Sequence, residues 1–137
     1  MFTYKTQIFL HHTDAAGRLF FGNLFFLIQE AKESFLEMIG LSISDMLNDP
    51  GITFPLVHAE ADYKVLLVTG DRITIDVEIE KIGDTSVTFF YTVKKSDGTL
   101  AGTARTVTVT VDKKTFKKKT VPADWRAKLE SHLKVSR

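Results

Sequence analysis

The run His11-His12-Thr13-Asp14-Ala15-Ala16-Gly17, followed by Phe20-Phe21-Gly22-Asn23 and a long apolar segment, holds the residues whose types and spacing can do chemistry. Asp14 stands in a predicted turn just ahead of a predicted helix N-terminus. A carboxylate there supplies a general base or a nucleophile. Backbone N–H groups left free at a helix start, here those of Phe21 and Gly22, can hold a developing oxyanion. Those two parts suffice for acyl transfer without a thiol, a Ser-His pair or a metal. Gly17 lets the loop turn where a side chain would clash.

Other polar residues read as structural first. His11 and His12 fall at the end of a predicted strand, so they face opposite ways and at most one faces Asp14. A metal site would need those diverging rings to converge with His58, and none is expected. Glu30 reads as a structural carboxylate on a mostly buried helix.

The elements that must position these residues follow from hydrophobic period. Tyr4 to His12 alternates as a strand, and Thr13 to Gly22 is a loop. A helix runs from Asn23, a plausible N-cap, to Ile39, with Gly40 as its stop. Leu24, Leu27, Ile28, Ala31, Phe35, Met38 and Ile39 form its apolar stripe, widened by Phe25, Phe26 and Leu36. A helix this apolar is expected to be largely enclosed, with Glu30, Lys32, Glu33 and Glu37 as its narrow polar side. A short helix or turn covers 42–54. The period then becomes two: strands are predicted over 57–67, 71–82, 85–95 and 99–112, with a hairpin turn at Ser96-Asp97-Gly98. A short terminal helix is predicted over 122–133. Short links between strands require an antiparallel sheet. One apolar helix against one curved sheet is an α+β solution.

Composition bounds the rest. The chain has 137 residues, 44% of them hydrophobic, which suits a single domain over 1–137 with a real core. The absence of cysteine excludes disulfides and a thiol nucleophile. A net charge of +1 gives no bias towards nucleic acid, and the cluster Lys113, Lys114, Lys117, Lys118 and Lys119 lacks interleaved aromatics beyond Phe116. The first residues lack a secretion pattern, and no apolar run approaches the ~20 residues of a membrane span. A soluble cytoplasmic protein with no membrane partner is the expectation.

Asp14-Ala15-Ala16-Gly17, the pair Phe20-Phe21, Asn23 and Glu30-Ala31-Lys32 resemble the signature of the 4-hydroxybenzoyl-CoA thioesterase group of hotdog-fold proteins. Ala61-Asp62-Tyr63, Gly70-Asp71, Ala101-Gly102-Thr103, and Val111-Asp112 followed by Pro122 extend the resemblance over nearly the whole chain. It implies a hotdog fold: one long central helix wrapped by a curved antiparallel sheet of about five strands. It implies an acyl-CoA thioesterase, a homodimer or homotetramer with sites at subunit boundaries, with no cofactor besides the CoA thioester substrate.

In that resemblance Asp14 matches the catalytic aspartate. Phe21 matches the position near the helix start whose backbone N–H faces the thioester oxygen. Many relatives carry His or Tyr there. Phe looks more like the branch that hydrolyses 1,4-dihydroxy-2-naphthoyl-CoA in quinone biosynthesis. The residue two before Asp14 is often acidic in relatives and is His12 here. By position His58 is expected near the acyl group, where it can hydrogen-bond a phenolic hydroxyl. Phe25, with Leu24, Ile28 and Phe54, is expected to line the pocket. Lys113, Lys114 and Lys117 can neutralise CoA phosphates as point charges. Two alternatives stay open: a thioesterase for short or medium acyl-CoA, and a non-catalytic acyl-CoA-binding protein of the same fold.

Overall fold

The computed structural model describes residues 1–133. The predicted domain's last residues, 134–137, lie outside them. In chain order the elements are β1 (Phe2–Gln7), a single 3-10 turn (Leu10–His12), α1 (Asn23–Met38), α2 (Ile43–Leu47), β2 (Ile52–Thr53), β3 (Leu56–Tyr63), β4 (Arg72–Ile82), β5 (Ser86–Lys95), β6 (Leu100–Val109), β7 (Val111–Asp112) and α3 (Ala123–Glu130). Five strands make one antiparallel sheet in the order β1-β4-β5-β6-β3, and β2 pairs with β7 in a small second sheet. The α+β hotdog architecture expected from the sequence is the one observed.

The sheet packs on α1 through alternating side chains. Ile73, Ile75, Val77 and Ile79 of β4 and Val87, Phe89, Tyr91 and Val93 of β5 are buried against the helix stripe Leu24, Leu27, Ile28, Ala31, Phe35 and Leu36. Each such side chain contributes about 1.5–3 kcal/mol of burial. Phe35 anchors the middle, with its ring 5.9 Å from that of Phe2 and edge-on to Phe89 at 6.3 Å. The Tyr91 hydroxyl is buried but bonded to Thr106 Oγ1 at 2.8 Å, so it carries no unpaired polar atom into the core.

Several expectations change. The first strand stops at Gln7, because the Phe9 N–H is captured by His12 Nδ1 at 2.9 Å and residues 10–12 coil into a turn. His11 and His12 therefore do not diverge along a strand; their rings sit 4.1 Å apart. The N-cap of α1 is Gly22, not Asn23, whose side chain donates elsewhere. The enclosure of α1 covers one face only: Phe26 and Met38 remain exposed, whereas Lys32 turns inward. β3 ends at Tyr63, and the last long strand breaks at Thr110. In β6 the buried residues are Ala101, Gly102, Ala104, Thr106 and Thr108, while Val107 and Val109 alternate with them and are half-buried. The helical residues of the tail are Ala123–Glu130, held by Trp125 and Leu129 in the core.

Candidate functional site at the start of helix α1

The Asp14 loop is a small closed hairpin. Asp14 N–H donates to Arg18 C=O at 2.8 Å, and Gly17 N–H donates to Asp14 C=O at 3.0 Å. Gly17 takes φ +76°, a conformation that a side chain disfavours. One carboxylate oxygen of Asp14, Oδ1, accepts from the Ala16 N–H at 2.8 Å and the Arg18 N–H at 3.3 Å. Its other oxygen, Oδ2, meets no donor among the described residues, and Asp14 is exposed. The carboxylate is thus aimed by its own loop and keeps one oxygen for chemistry.

The β3–β4 connection braces this hairpin. Leu19 N–H donates to Leu67 C=O at 2.8 Å, and Thr69 N–H donates to Gly17 C=O at 3.1 Å. The Asp71 carboxylate accepts the Val68 N–H at 2.9 Å and closes the connecting turn.

On the helix side, the His12 carbonyl accepts from both the Phe20 N–H at 3.1 Å and Asn23 Nδ2 at 2.8 Å. Those two hydrogen bonds hold the residues before Asp14 against the helix entry. Asn23 N–H turns back to Phe20 C=O at 2.9 Å, and Phe25 N–H to Gly22 C=O at 3.2 Å. The Phe21 C=O accepts the Tyr63 hydroxyl. The amides of Phe21 and Gly22 donate to no acceptor among the described residues. They lie at the positive end of the α1 dipole, where an anion is favoured. His12 is buried, and burial, then the neighbouring His11, holds it below the ordinary histidine range. Its Nδ1 already accepts a backbone N–H, so it serves the loop as a neutral ring.

The chain brings Asp14, Phe21, Gly22 and Phe25 to one end of α1, and leaves other expected residues elsewhere. His58 pairs with Val107, and Glu60 pairs with Arg105, so both lie on the sheet face turned away from α1. There His58 Nε2 meets Glu60 Oε1 at 3.2 Å, and Arg105 grips Glu80 at 2.6 and 2.9 Å. Phe54 packs edge-on against Trp125 at 6.0 Å, beside α3 rather than the Asp14 loop. Glu30 is exposed and takes the Tyr4 hydroxyl at 3.4 Å. Lys113, Lys114 and Lys117 follow β7, beyond the end of β6 opposite to the one where Gly102 pairs with Tyr63. Lys113 Nζ is held by the Leu47 carbonyl at 2.9 Å, while Lys114 and Lys117 are exposed. Among the described residues no three His, Cys, Asp or Glu group as a metal site.

Sequence reasoning missed the hydroxyl of Tyr63. Only the Ala61-Asp62-Tyr63 match pointed to that strand end, and the partner lies 42 residues away.

Residues 9–129 match the model of the thioesterase-like superfamily. The chain belongs to that superfamily. Within it, the chain is similar to the 1,4-dihydroxy-2-naphthoyl-CoA hydrolase of Nostoc punctiforme, 35% identical over 82 residues, which are 60% of this chain and 55% of that relative. The chain thus spans little more than half the length of that relative. A crystal structure of a 1,4-dihydroxy-2-naphthoyl-CoA thioesterase from Synechocystis superposes with a TM-score of 0.88 at 28% identity, over 93% of this chain and 94% of that one. A gentisyl-coenzyme A thioesterase superposes with a TM-score of 0.82 at 25% identity, over 93% and 98% of the two chains.

Proposed function

We propose that this protein is an acyl-CoA thioesterase that hydrolyses an aromatic acyl-CoA, with 1,4-dihydroxy-2-naphthoyl-CoA, a quinone precursor, as the leading substrate. The observation that carries the reading is the pair of unspent amides at Phe21 and Gly22 at the helix entry, with a carboxylate that keeps one open oxygen on the hairpin leading into it. The thioester oxygen accepts those amides, and the carbonyl carbon becomes electrophilic. Asp14 either attacks that carbon or takes a proton from a water that attacks it. The tetrahedral oxyanion collapses, the C–S bond breaks, and the coenzyme leaves as a thiolate that then takes a proton. In the first route water hydrolyses the mixed anhydride and frees Asp14. Two oxyanion donors commonly supply about 3 kcal/mol each. No cofactor enters either route, and the proposed setting is the cytoplasm.

The named relatives favour an aryl group. Gentisyl and 1,4-dihydroxy-2-naphthoyl groups share a hydroquinone ring with its carbonyl beside one hydroxyl. The exposed Phe21 and the half-buried Phe25, one helical turn apart at the start of α1, offer a flat ring apolar surface.

The working unit we propose is a homodimer. β3 is an edge strand whose eight residues are almost all exposed, a template for pairing with a second copy. Two-fold antiparallel pairing along that edge sets Tyr63 of one copy against Leu56 of the other. It carries the second copy's lysine-bearing turn to the Asp14 end of the first. Lys114 and Lys117 then supply charge for CoA phosphates, which a single chain does not place there. Further pairing of dimers through the outer sheet face gives a tetramer.

The test is thiol release from 1,4-dihydroxy-2-naphthoyl-, benzoyl- and straight-chain acyl-CoA. The expected order of kcat/KM is naphthoyl, then benzoyl, then straight-chain. A preference for straight chains would favour a general acyl-CoA thioesterase, and tight binding without release would favour a non-catalytic binder.

A further inference from the structure

Each free amide at the helix entry belongs to a peptide plane whose carbonyl is already held. In a trans peptide the C=O of one residue and the N–H of the next point in opposite directions from one rigid plane. Phe20 C=O accepts the Asn23 N–H, which fixes the plane that presents the Phe21 N–H. Phe21 C=O accepts the Tyr63 hydroxyl, which fixes the plane that presents the Gly22 N–H. The first clamp is local to the turn. The second arrives from the end of β3, whose register puts Tyr63 opposite Gly102 and alternates it with the outward Glu60 and Asp62.

We infer that Tyr63 is a positioning residue for the oxyanion hole: its hydroxyl, bonded to the Phe21 carbonyl, sets the direction and donor strength of the Gly22 N–H. The inference rests on the hydrolase reading of this same site. A carbonyl oxygen only accepts, so the phenol is the donor without ambiguity. A bond accepted at the carbonyl polarises the peptide and strengthens its N–H as a donor. Without it the 21–22 plane, in an exposed loop with a glycine on one side, can swing. Burial raises the Tyr63 phenol above its ordinary value, so it stays protonated and keeps donating through neutral pH.

Tyr63→Phe removes the hydroxyl and keeps the ring. With an aromatic acyl-CoA, kcat is expected to fall about 10- to 100-fold, part of what losing a whole oxyanion donor costs. KM should stay within about twofold of wild type. A second readout needs no turnover. A ketone analogue, with a methylene in place of the thioester sulfur, is bound and its carbonyl stretch recorded. In wild type the stretch should fall below its value in water, and in Tyr63→Phe it should return towards that value. An equal stretch in both proteins overturns the inference, as does a loss confined to KM. A wild type that polarises the ketone but releases no thiol defeats the hydrolase reading while the stretch still decides Tyr63. A wild type that leaves the stretch at its free value defeats both.

Discussion

The Lys32 amine lies 4.8 Å from the centroid of the Phe89 ring, inside the core rather than on the polar side of α1. It borders a cavity of about 30 Å³ lined by Leu36, Met46, Phe54, Val87 and Trp125 among others. A cation over an aromatic face recovers part of the cost of leaving water. Burial still pulls the amine down to about 8, with the nearby Glu33 charge opposing.

That shift predicts the pH dependence of stability. In the unfolded chain Lys32 holds its proton to about 10.5, and in the folded chain only to about 8. Between those values the unfolded state binds more protons, so this group's contribution to stability rises with pH and is least favourable below 8. The full span corresponds to about 3 kcal/mol. Lys32→Met removes the buried charge at similar volume. Denaturant titrations from pH 6 to 10.5 should show the variant more stable than wild type at pH 7, with the gap closing above pH 8. A constant gap across that range would contradict the assignment.

The free edge of β3 predicts how the assembly fails. Lys64 N–H reaches Ala101 C=O, so the alternation of an antiparallel ladder leaves the amides of Ala59 and Ala61 on the open side. Ala59→Pro deletes one edge donor without touching the β6 ladder. Sedimentation should show a monomer with a native circular-dichroism spectrum. Turnover of an aromatic acyl-CoA should fall at least tenfold, mainly through KM, because the second copy's lysines are lost. A variant that stays dimeric would contradict the proposed interface.

The sheet was legible because apolar and polar residues alternate over 72–95, and the helix because its stripe returns every three to four residues. Legibility ends where side chains compete with the backbone. The His12 ring takes the Phe9 N–H and turns a strand into a 3-10 turn, which no periodicity records. In β6 threonine and valine alternate, and both suit a strand, so the pattern could not say that Thr106 and Thr108 face inward. Lys32 occupies a core position because its long stem is apolar. The turn that carries Asp14 was readable from its glycine and aspartate. Tyr63 was not, because its bond to Phe21 exists only after β3 has folded against the helix entry.

The most direct test of the account is thiol release from 1,4-dihydroxy-2-naphthoyl-CoA by wild type and Asp14→Asn. The asparagine keeps an oxygen for the Ala16 and Arg18 amides, so the loop and the melting temperature should hold. Turnover should fall at least about a hundredfold, the range set by losing a general base, and further if Asp14 is the nucleophile. An Asp14→Asn protein that releases coenzyme at the wild-type rate would contradict the account.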